Sequence, residues 1–211
     1  MNDLFSDQNP QQQVLPSGIT LLKAFSNSSD LIPLINDIKS QSPFRHLSTT
    51  MGHNMRVTTT NCGEFGGHSD QHGYRYLKKD PLTGQPWPAM PELFKSLAVN
   101  AANSAGISNF NPDSCLINHY PIGISMGSHQ DKEEADFSWP IVSVSIGLPA
   151  TFQIFGKTRS GVEHEVFLED GDVLVLSGAA RMYYHGVKPV KADVLQPKLT
   201  ERINLTFRKA R

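Results

Sequence analysis

The sequence is poor in cysteine and has no long apolar run. Its 211 residues include two cysteines, Cys62 and Cys115, too few for the disulfide framework of a small secreted protein. No apolar stretch approaches the about 20 residues that span a bilayer. The first residues, MNDLF, lack the basic flank and the apolar segment of a signal peptide. We therefore expect a cytoplasmic protein without a membrane span. We also expect it to be a monomer.

The sequence also lacks a surplus of charge of either sign. It has 19 Lys and Arg against 20 Asp and Glu, a formal net charge of −1. Proteins that bind nucleic acid non-specifically usually carry a basic surplus. The composition therefore argues against a purely electrostatic, high-affinity DNA binder. It does not exclude an enzyme that contacts nucleic acid through a local patch.

In the first half of the chain, the sequence predicts a loose N-terminal arm, two helices and, between the helices, a polar segment that covers the substrate. Residues 1–17 contain Gln, Asn and Pro without periodicity, which indicates a loose N-terminal arm before a single domain over residues 18–211. A short strand at Ile19–Leu22 precedes a helix capped by Ser28 or Ser29. A second helix covers about residues 92–105 and ends at Gly106. Between the helices, residues 42–84 are polar and rich in Gly, Thr, His and Tyr. They predict a poor core and a substrate-covering segment.

The second half of the chain reads as β-structure. Gly and Pro separate short segments rich in β-branched and aromatic residues, as expected for a jelly roll. We predict a mostly β protein with flanking helices, in which the helices cover one face of an eight-stranded, double-sheet β core. The candidate strands are residues 115–120, 141–148, 151–155, 165–168, 172–176 and 202–208.

A possible metal site lies within this β region. His129 and Asp131 are two residues apart, so both point to the same side if the local chain is extended. His185 follows far downstream, before Gly186. Two imidazoles and one carboxylate suit iron(II), manganese or zinc, and an open three-ligand face favours non-haem iron when an organic acid completes the coordination shell. A structural zinc site would require a fourth ligand, and the two cysteines are not placed for one.

The segment 202–208 alternates polar and apolar residues. Arg202, Asn204, Thr206 and Arg208 face one way, and the apolar residues between them face the other. Solvent-facing polar side chains on an outer strand would give the same pattern. However, the two arginine α-carbons lie about 20 Å apart along a strand, and inward-leaning guanidinium groups could bind a five-carbon dicarboxylate. Asn118 and Tyr120 share one face of their strand and could add neutral hydrogen bonds.

With these residues identified, the chain resembles the AlkB family of iron(II)- and 2-oxoglutarate-dependent nucleic-acid dealkylases, especially its bacterial DNA-repair branch. The resemblance covers most of the chain and is weaker at QSPFR (41–45), NCG (61–63) and WPAMP (87–91). Its strongest segments are CLINHY (115–120), HQDK (129–132), PIVSVSIGLP (140–149), YHG (184–186) and RINLTFR (202–208).

The resemblance implies a double-stranded β-helix with iron(II) bound by His129, Asp131 and His185. It assigns the distal carboxylate of 2-oxoglutarate to Arg202. The reaction it implies uses O₂ to convert 2-oxoglutarate to succinate, oxidises an N-methyl group on a base of DNA or RNA, and releases formaldehyde. The residues assigned to the other end of 2-oxoglutarate or its surroundings are Asn118, Tyr120, Asn204 and Arg208.

The resemblance also marks substrate positions, with one departure. It places Tyr74, Tyr76, Glu133 and Arg159 near an alkylated base, although ordinary surface residues and a hairpin tyrosine pair would look the same. Glu133 stands where the bacterial member has Asp. Gly67 stands where that member stacks the base on Trp, and stacking contributes about 1–3 kcal/mol per base.

Two other functions remain compatible with the sequence. One is a 2-oxoglutarate-dependent hydroxylase or demethylase of a protein or small molecule, which the near-neutral charge and Gly67 favour. The other is a metal-binding jelly roll without turnover. The expected function is oxidative demethylation of 1-methyladenine and 3-methylcytosine types of lesion in nucleic acid.

Overall fold

The computed structural model describes residues 15–211. Of the predicted N-terminal arm, only residues 15–17 fall in this range, and Leu15 packs against the core. The helices are α1 (Ser28–Gln41) and α2 (Glu92–Ser104). The strands are β1 (Ile19–Leu22), β2 (Arg45–Ser48), β3 (Asn54–Gly63), β4 (Gly66–Asp70), β5 (Gly73–Leu77), β6 (Ser114–Pro121), β7 (Met126–His129), β8 (Ile141–Gly147), β9 (Ala150–Gly156), β10 (His164–Leu168), β11 (Val173–Leu176), β12 (Tyr184–Val187) and β13 (Glu201–Arg208).

Two antiparallel sheets form the core. The large sheet has the order β1-β11-β8-β13-β6-β3-β2, and the small sheet has the order β10-β9-β12-β7. The eight strands from β6 to β13 divide equally between the two sheets, four in each. This arrangement confirms the predicted eight-stranded, double-sheet jelly roll. Strands β1, β2 and β3 extend the large sheet beyond that core.

The helices cover the outer face of the large sheet. Leu31, Ile35 and Ile38 of α1 are buried in one cluster with Phe94 of α2 and with the apolar residues of β13. Phe94 meets Phe207 edge to face, with ring centroids 6.0 Å apart. Because side chains alternate along a strand, this packing sends the polar residues of β13 into the space between the sheets.

The start of α1 differs from its predicted cap. Asn27 is the N-cap, and its side-chain oxygen accepts a hydrogen bond from the Ser29 backbone N–H at 3.1 Å. Ser28 and Ser29 are instead the first helical residues. Asn and Ser cap helices about equally well, so local composition alone did not fix the position.

The segment 42–84 is more than a polar cover, and the expectation of a poor core is wrong for β3. This strand pairs with β6 inside the large sheet, and Cys62 is fully buried in the helix–sheet cluster. Thr59, Thr60 and Asn61 are also buried in this strand, although its sequence shows no sustained apolar pattern. The β4–β5 hairpin in the same segment forms a separate two-stranded sheet. Neither helix of the described chain is long and apolar enough to cross a membrane.

Candidate metal centre and cosubstrate pocket

A cavity of about 250 Å³ lies between the two sheets. The large sheet contributes lining residues from β2, β3, β6, β8, β11 and β13, and the small sheet from β7, β9 and β12. Ser69 and Tyr74 of the β4–β5 hairpin also line it. The polar face of β13 therefore borders the same space as the candidate metal ligands.

His129, Asp131 and His185 meet in this cavity. One ligand atom from each lies within 4.8 Å of the others. Strands β7 and β12 pair so that His129 stands opposite His185, which brings residues from distant parts of the chain together. His129 ends β7, and Asp131 follows it outside the strand. Two imidazoles and one carboxylate on one side of a cavity fit the facial iron(II) site that the spacing predicts.

Backbone carbonyls orient both imidazoles. Nδ1 of His129 lies 2.9 Å from the Gly127 carbonyl oxygen, and Nδ1 of His185 lies 3.0 Å from the Tyr183 carbonyl oxygen. An Nδ1–H that donates to a carbonyl leaves Nε2 with its lone pair free for a metal. The donor set therefore fits a metal ion through Nε2 of both histidines and the Asp131 carboxylate.

The charge states of two ligands also suit metal binding. Burial, followed by the neighbouring His129, lowers the pKa of His185 to about 4, so the imidazole is neutral at pH 7. Burial alone would raise the pKa of Asp131, but Arg208 and the two histidines hold that pKa well below its usual range. A neutral imidazole and an ionised carboxylate are the forms that coordinate metals.

The predicted cosubstrate residues lie together on one wall. Asn118 stands opposite Asn204, and Tyr120 opposite Arg202, across the β6–β13 pair. The Asn118 amide donates to the Asn204 side-chain oxygen at 3.4 Å. Burial raises the pKa of Tyr120 to about 12, so its hydroxyl remains a neutral donor. All five predicted side chains, including that of Arg208, line the cavity.

Arg202 is a buried cation that forms no salt bridge among residues 15–211, and Asp172 acts on it only at longer range. It donates to the Ser145 hydroxyl at 2.9 Å, and its Nε has no hydrogen-bond partner within the described chain. Burial lowers its pKa to about 10, so the guanidinium still carries its charge at pH 7. Buried arginines are normally paired. Arg202 therefore fits a ligand carboxylate in the cavity.

Arg208 has a different environment from Arg202. Its Nη2 lies 2.9 Å from Oδ2 of Asp131, and its Nε lies 3.4 Å from Oε1 of Glu134. Its Nη1 has no hydrogen-bond partner in the described part of the chain. The two arginines of β13 are thus not equivalent ends of one clamp, because Arg208 is already paired with a metal ligand.

A buried ion pair that the sequence did not indicate supports Asp131. Nη2 of Arg181 lies 2.7 Å from Oε2 of Glu134, and both side chains are 2% exposed. The Arg181 Nη1 donates to the Asp131 carbonyl oxygen at 2.7 Å. The Tyr76 hydroxyl donates to Oε1 of Glu134 at 2.6 Å. No sequence pattern distinguished Glu134 and Arg181 from ordinary surface charges.

The predicted substrate residues divide into three groups. Tyr74 and Glu133 line the cavity. Tyr76 is buried and belongs to the Glu134 network. Arg159 is exposed in the turn between β9 and β10 and does not line the cavity. The structure therefore brings two of the four to the metal centre.

Comparison with known proteins is consistent with this site. A family model described as the 2OG-Fe(II) oxygenase superfamily matches residues 18–208. The chain is 47% identical over 212 residues to the alpha-ketoglutarate-dependent dioxygenase AlkB of Escherichia coli (strain K12), which covers 100% of this chain and 98% of that protein. It is 41% identical over 99 residues to the DNA N(6)-methyladenine demethylase ALKBH1A of Arabidopsis thaliana, which covers 47% of this chain and 28% of that protein.

A solved structure agrees with the same assignment. The structure of OsALKBH1 superimposes with a TM-score of 0.76 at 29% sequence identity, and the match covers 93% of this chain and 100% of that one. The family match extends over both sheets and all three candidate metal ligands. The chain therefore belongs to the AlkB family of iron(II)- and 2-oxoglutarate-dependent oxygenases.

Proposed function

We propose that this protein oxidatively demethylates alkylated bases of the 1-methyladenine and 3-methylcytosine type in DNA, and that RNA is a second substrate. One observation carries the proposal: an open His129–Asp131–His185 face borders the same cavity as Arg202, whose Nε has no hydrogen-bond partner in the described part of the chain. The names of relatives support a nucleic-acid substrate, because ALKBH1A is called a DNA demethylase. Direct reversal of alkylation damage is the corresponding cellular role.

One set of cavity residues binds the metal, and a second set binds the cosubstrate. His129, Asp131 and His185 hold iron(II), and Arg202 binds the distal carboxylate of 2-oxoglutarate, with Tyr120 beside it across the β6–β13 pair. Asn118, Asn204 and Arg208 surround its other end. When bound, iron and 2-oxoglutarate supply the O₂-dependent oxidation of a methyl C–H bond, with conversion of 2-oxoglutarate to succinate and CO₂. The protein's part is to position these reagents and exclude side reactions.

The substrate approaches from the hairpin side. A base must leave its stack to reach a metal inside a cavity, and a base that cannot pair is less costly to flip. Tyr74 and Glu133 line the cavity, Tyr76 packs edge to face against Tyr74, and Arg159 is exposed in the turn between β9 and β10. Oxidation gives a hydroxymethyl group on the base nitrogen, which leaves as formaldehyde and restores the base.

The proposal includes the predicted organisation of the chain. Residues 18–211 act as one catalytic domain, the hairpin of segment 42–84 covers the substrate, and the protein works as a cytoplasmic monomer. Both cysteines are free and buried, which suits a reducing compartment. Size-exclusion chromatography with light scattering tests the monomer, and a dimeric mass would contradict it.

Mass spectrometry of a methylated oligonucleotide tests the function. The protein is incubated with iron(II), ascorbate, 2-oxoglutarate and a single-stranded oligonucleotide carrying 1-methyladenine. We expect the loss of one methyl mass together with succinate and formaldehyde, and none of these with Asp131→Ala. An unchanged oligonucleotide mass with the wild-type protein would exclude the proposed substrate.

Hydroxylation or demethylation of a protein or small molecule is the second candidate function. The net charge of −1 favours it, as does the absence of a side chain at Gly67 where the resemblance expects an aromatic one. A panel of peptides and small molecules, assayed for succinate above the uncoupled background, separates the two candidates. Turnover on the panel without demethylation of oligonucleotides would replace the first proposal with the second.

A further inference from the structure

One face of the β4–β5 hairpin borders the cavity, and on this face Gly67 and Tyr74 are in close contact. Gly67 stands opposite Tyr76, and Ser69 opposite Tyr74, so these four residues share a face. A Cβ placed on Gly67 would lie 1.7 Å from the Tyr74 hydroxyl oxygen and 2.5 Å from its Cζ. The phenol of Tyr74 thus occupies the space that any side chain at position 67 would need.

Neighbouring contacts hold both members of this pair. The Tyr74 ring meets Tyr76 edge to face, with centroids 5.7 Å apart and an interplanar angle of 85°. The Gly67 N–H donates to the Asn61 side-chain oxygen at 2.9 Å, and the Asn61 amide donates back to the Gly67 carbonyl at 3.1 Å. The backbone at position 67 is therefore fixed, and the ring is held from one side by Tyr76.

The two ends of the Tyr74 side chain have different environments. The residue is half-buried and lines the cavity, so part of its ring is open to a ligand. Its hydroxyl oxygen is buried and has no hydrogen-bond partner in the described part of the chain. The buried hydroxyl lies against Gly67, so the ring, and not the hydroxyl, is the part of Tyr74 that a ligand in the cavity can contact.

We propose that Gly67 and Tyr74 act as one specificity-determining unit. Tyr74 provides the aromatic surface against which the planar methylated base lies, and Gly67 leaves the notch that sets the position of the ring. The inference rests on the proposed demethylase function and names the residues that select the base. Aromatic surfaces stack any base, so this unit favours a planar heterocycle over an aliphatic side chain.

A double-mutant cycle tests the pair. The variants are Gly67→Ala, Tyr74→Leu and their double mutant, with Gln71→Ala in the exposed hairpin turn as the control. Each is assayed for demethylation of a 1-methyladenine oligonucleotide and for succinate formation without substrate. We expect both single variants to raise the KM for the oligonucleotide about tenfold, as loss of one stacking contact predicts, and we expect Gln71→Ala to leave both readouts unchanged.

The double mutant carries the decisive result. Because Gly67→Ala acts only by displacing the Tyr74 ring, we expect it to add nothing once that ring is absent. The inference would be overturned if the KM increase of the double mutant equalled the product of the two single increases, or if Gly67→Ala had the wild-type KM. Either result leaves the proposed function standing, provided that the wild-type enzyme demethylates. Failure of the wild-type enzyme to demethylate would remove the proposed function and this inference together.

Tyr74→Phe keeps the test independent of changes at position 67. It retains the ring and removes the hydroxyl, so we expect a KM between those of the wild type and Tyr74→Leu. If Gly67→Ala does not fold, the comparison of Phe with Leu decides. Equal KM values for wild type, Tyr74→Phe and Tyr74→Leu would overturn the inference.

Discussion

At the scale of single residues, the chemistry of the site follows from side-chain type. The metal triad was predictable because two imidazoles and a carboxylate together are typical of a metal site. The inward orientation of Arg202 was predictable because side chains alternate between the two faces of a strand. The partner of each arginine was not predictable. Asp131 occupies Arg208, whereas Arg202 has no carboxylate partner in the described chain, and only the packed structure distinguishes them.

Replacement of Arg202 should weaken 2-oxoglutarate binding without harming the fold. Loss of one member of a buried charge pair costs about 2 kcal/mol or more, so Arg202→Gln should raise the KM for 2-oxoglutarate about thirtyfold. Succinate formation against 2-oxoglutarate concentration measures it, with the exposed Arg56→Gln as the matched control. A wild-type KM for Arg202→Gln would contradict the assigned role.

At the scale of elements, periodicity decides what the sequence can reveal. Strands β6, β8 and β13 were predictable since each has a long run of strand-forming residues. Strands β7 and β12 have four residues each, MGSH and YHGV. Their glycine and histidine residues interrupt the pattern of strand-forming residues, so the sequence does not predict these strands. Strand β4 begins with two glycines. The turn that carries Arg159 could not be placed, because spacing does not fix the direction in which a hairpin points.

Contacts between elements were equally hidden, and the Glu134–Arg181 pair is the clearest case. Arg181 belongs to the 3₁₀ turn Gly178–Met182, and Glu134 to the loop after β7. Gln130 strengthens the same junction by donating to the Met182 carbonyl at 2.7 Å. The loop that carries Asp131 is thus tied to the turn that precedes His185.

Removing the charge of Glu134 should destabilise this junction strongly. Glu134→Gln leaves Arg181 buried without its counter-ion, and breaking a buried pair in this way costs about 3 kcal/mol or more. Urea unfolding followed by circular dichroism measures the loss. Glu165→Gln removes a partner from the exposed pair with Lys188 and should cost less than about 1 kcal/mol. Equal losses for the two variants would argue against a structural role for the buried pair.

At the scale of the whole molecule, acid stability depends on a second buried carboxylate. Asp80 is fully buried and accepts hydrogen bonds from Ser42 at 2.7 Å and from Arg45 at 2.9 Å. Burial would raise its pKa, but these donors and the Leu82 N–H lower it from 3.8 to about 2. The group joins the end of α1 to β2 and to the loop after β5.

This carboxylate should make stability fall in acid. A folded-state pKa below the unfolded value stabilises the protein above about pH 4, and that contribution disappears as the pH falls toward 2. The shift corresponds to about 2 kcal/mol. Asp80→Asn should therefore lower the free energy of unfolding at pH 7 and flatten its decline between pH 4 and pH 2. Urea titrations across that range provide the measurement, and parallel pH profiles for the two proteins would contradict it.

The order of the large sheet has a consequence for synthesis on the ribosome. Strand β13 lies between β8 and β6 in space but follows both in sequence. Until residues 201–208 emerge, β6 and β8 each present an unpaired edge to other chains, a known route to aggregation. Arg202, Asn204 and Arg208 arrive with that same strand. A nascent chain therefore completes the polar lining of its cavity in the same step that closes its large sheet.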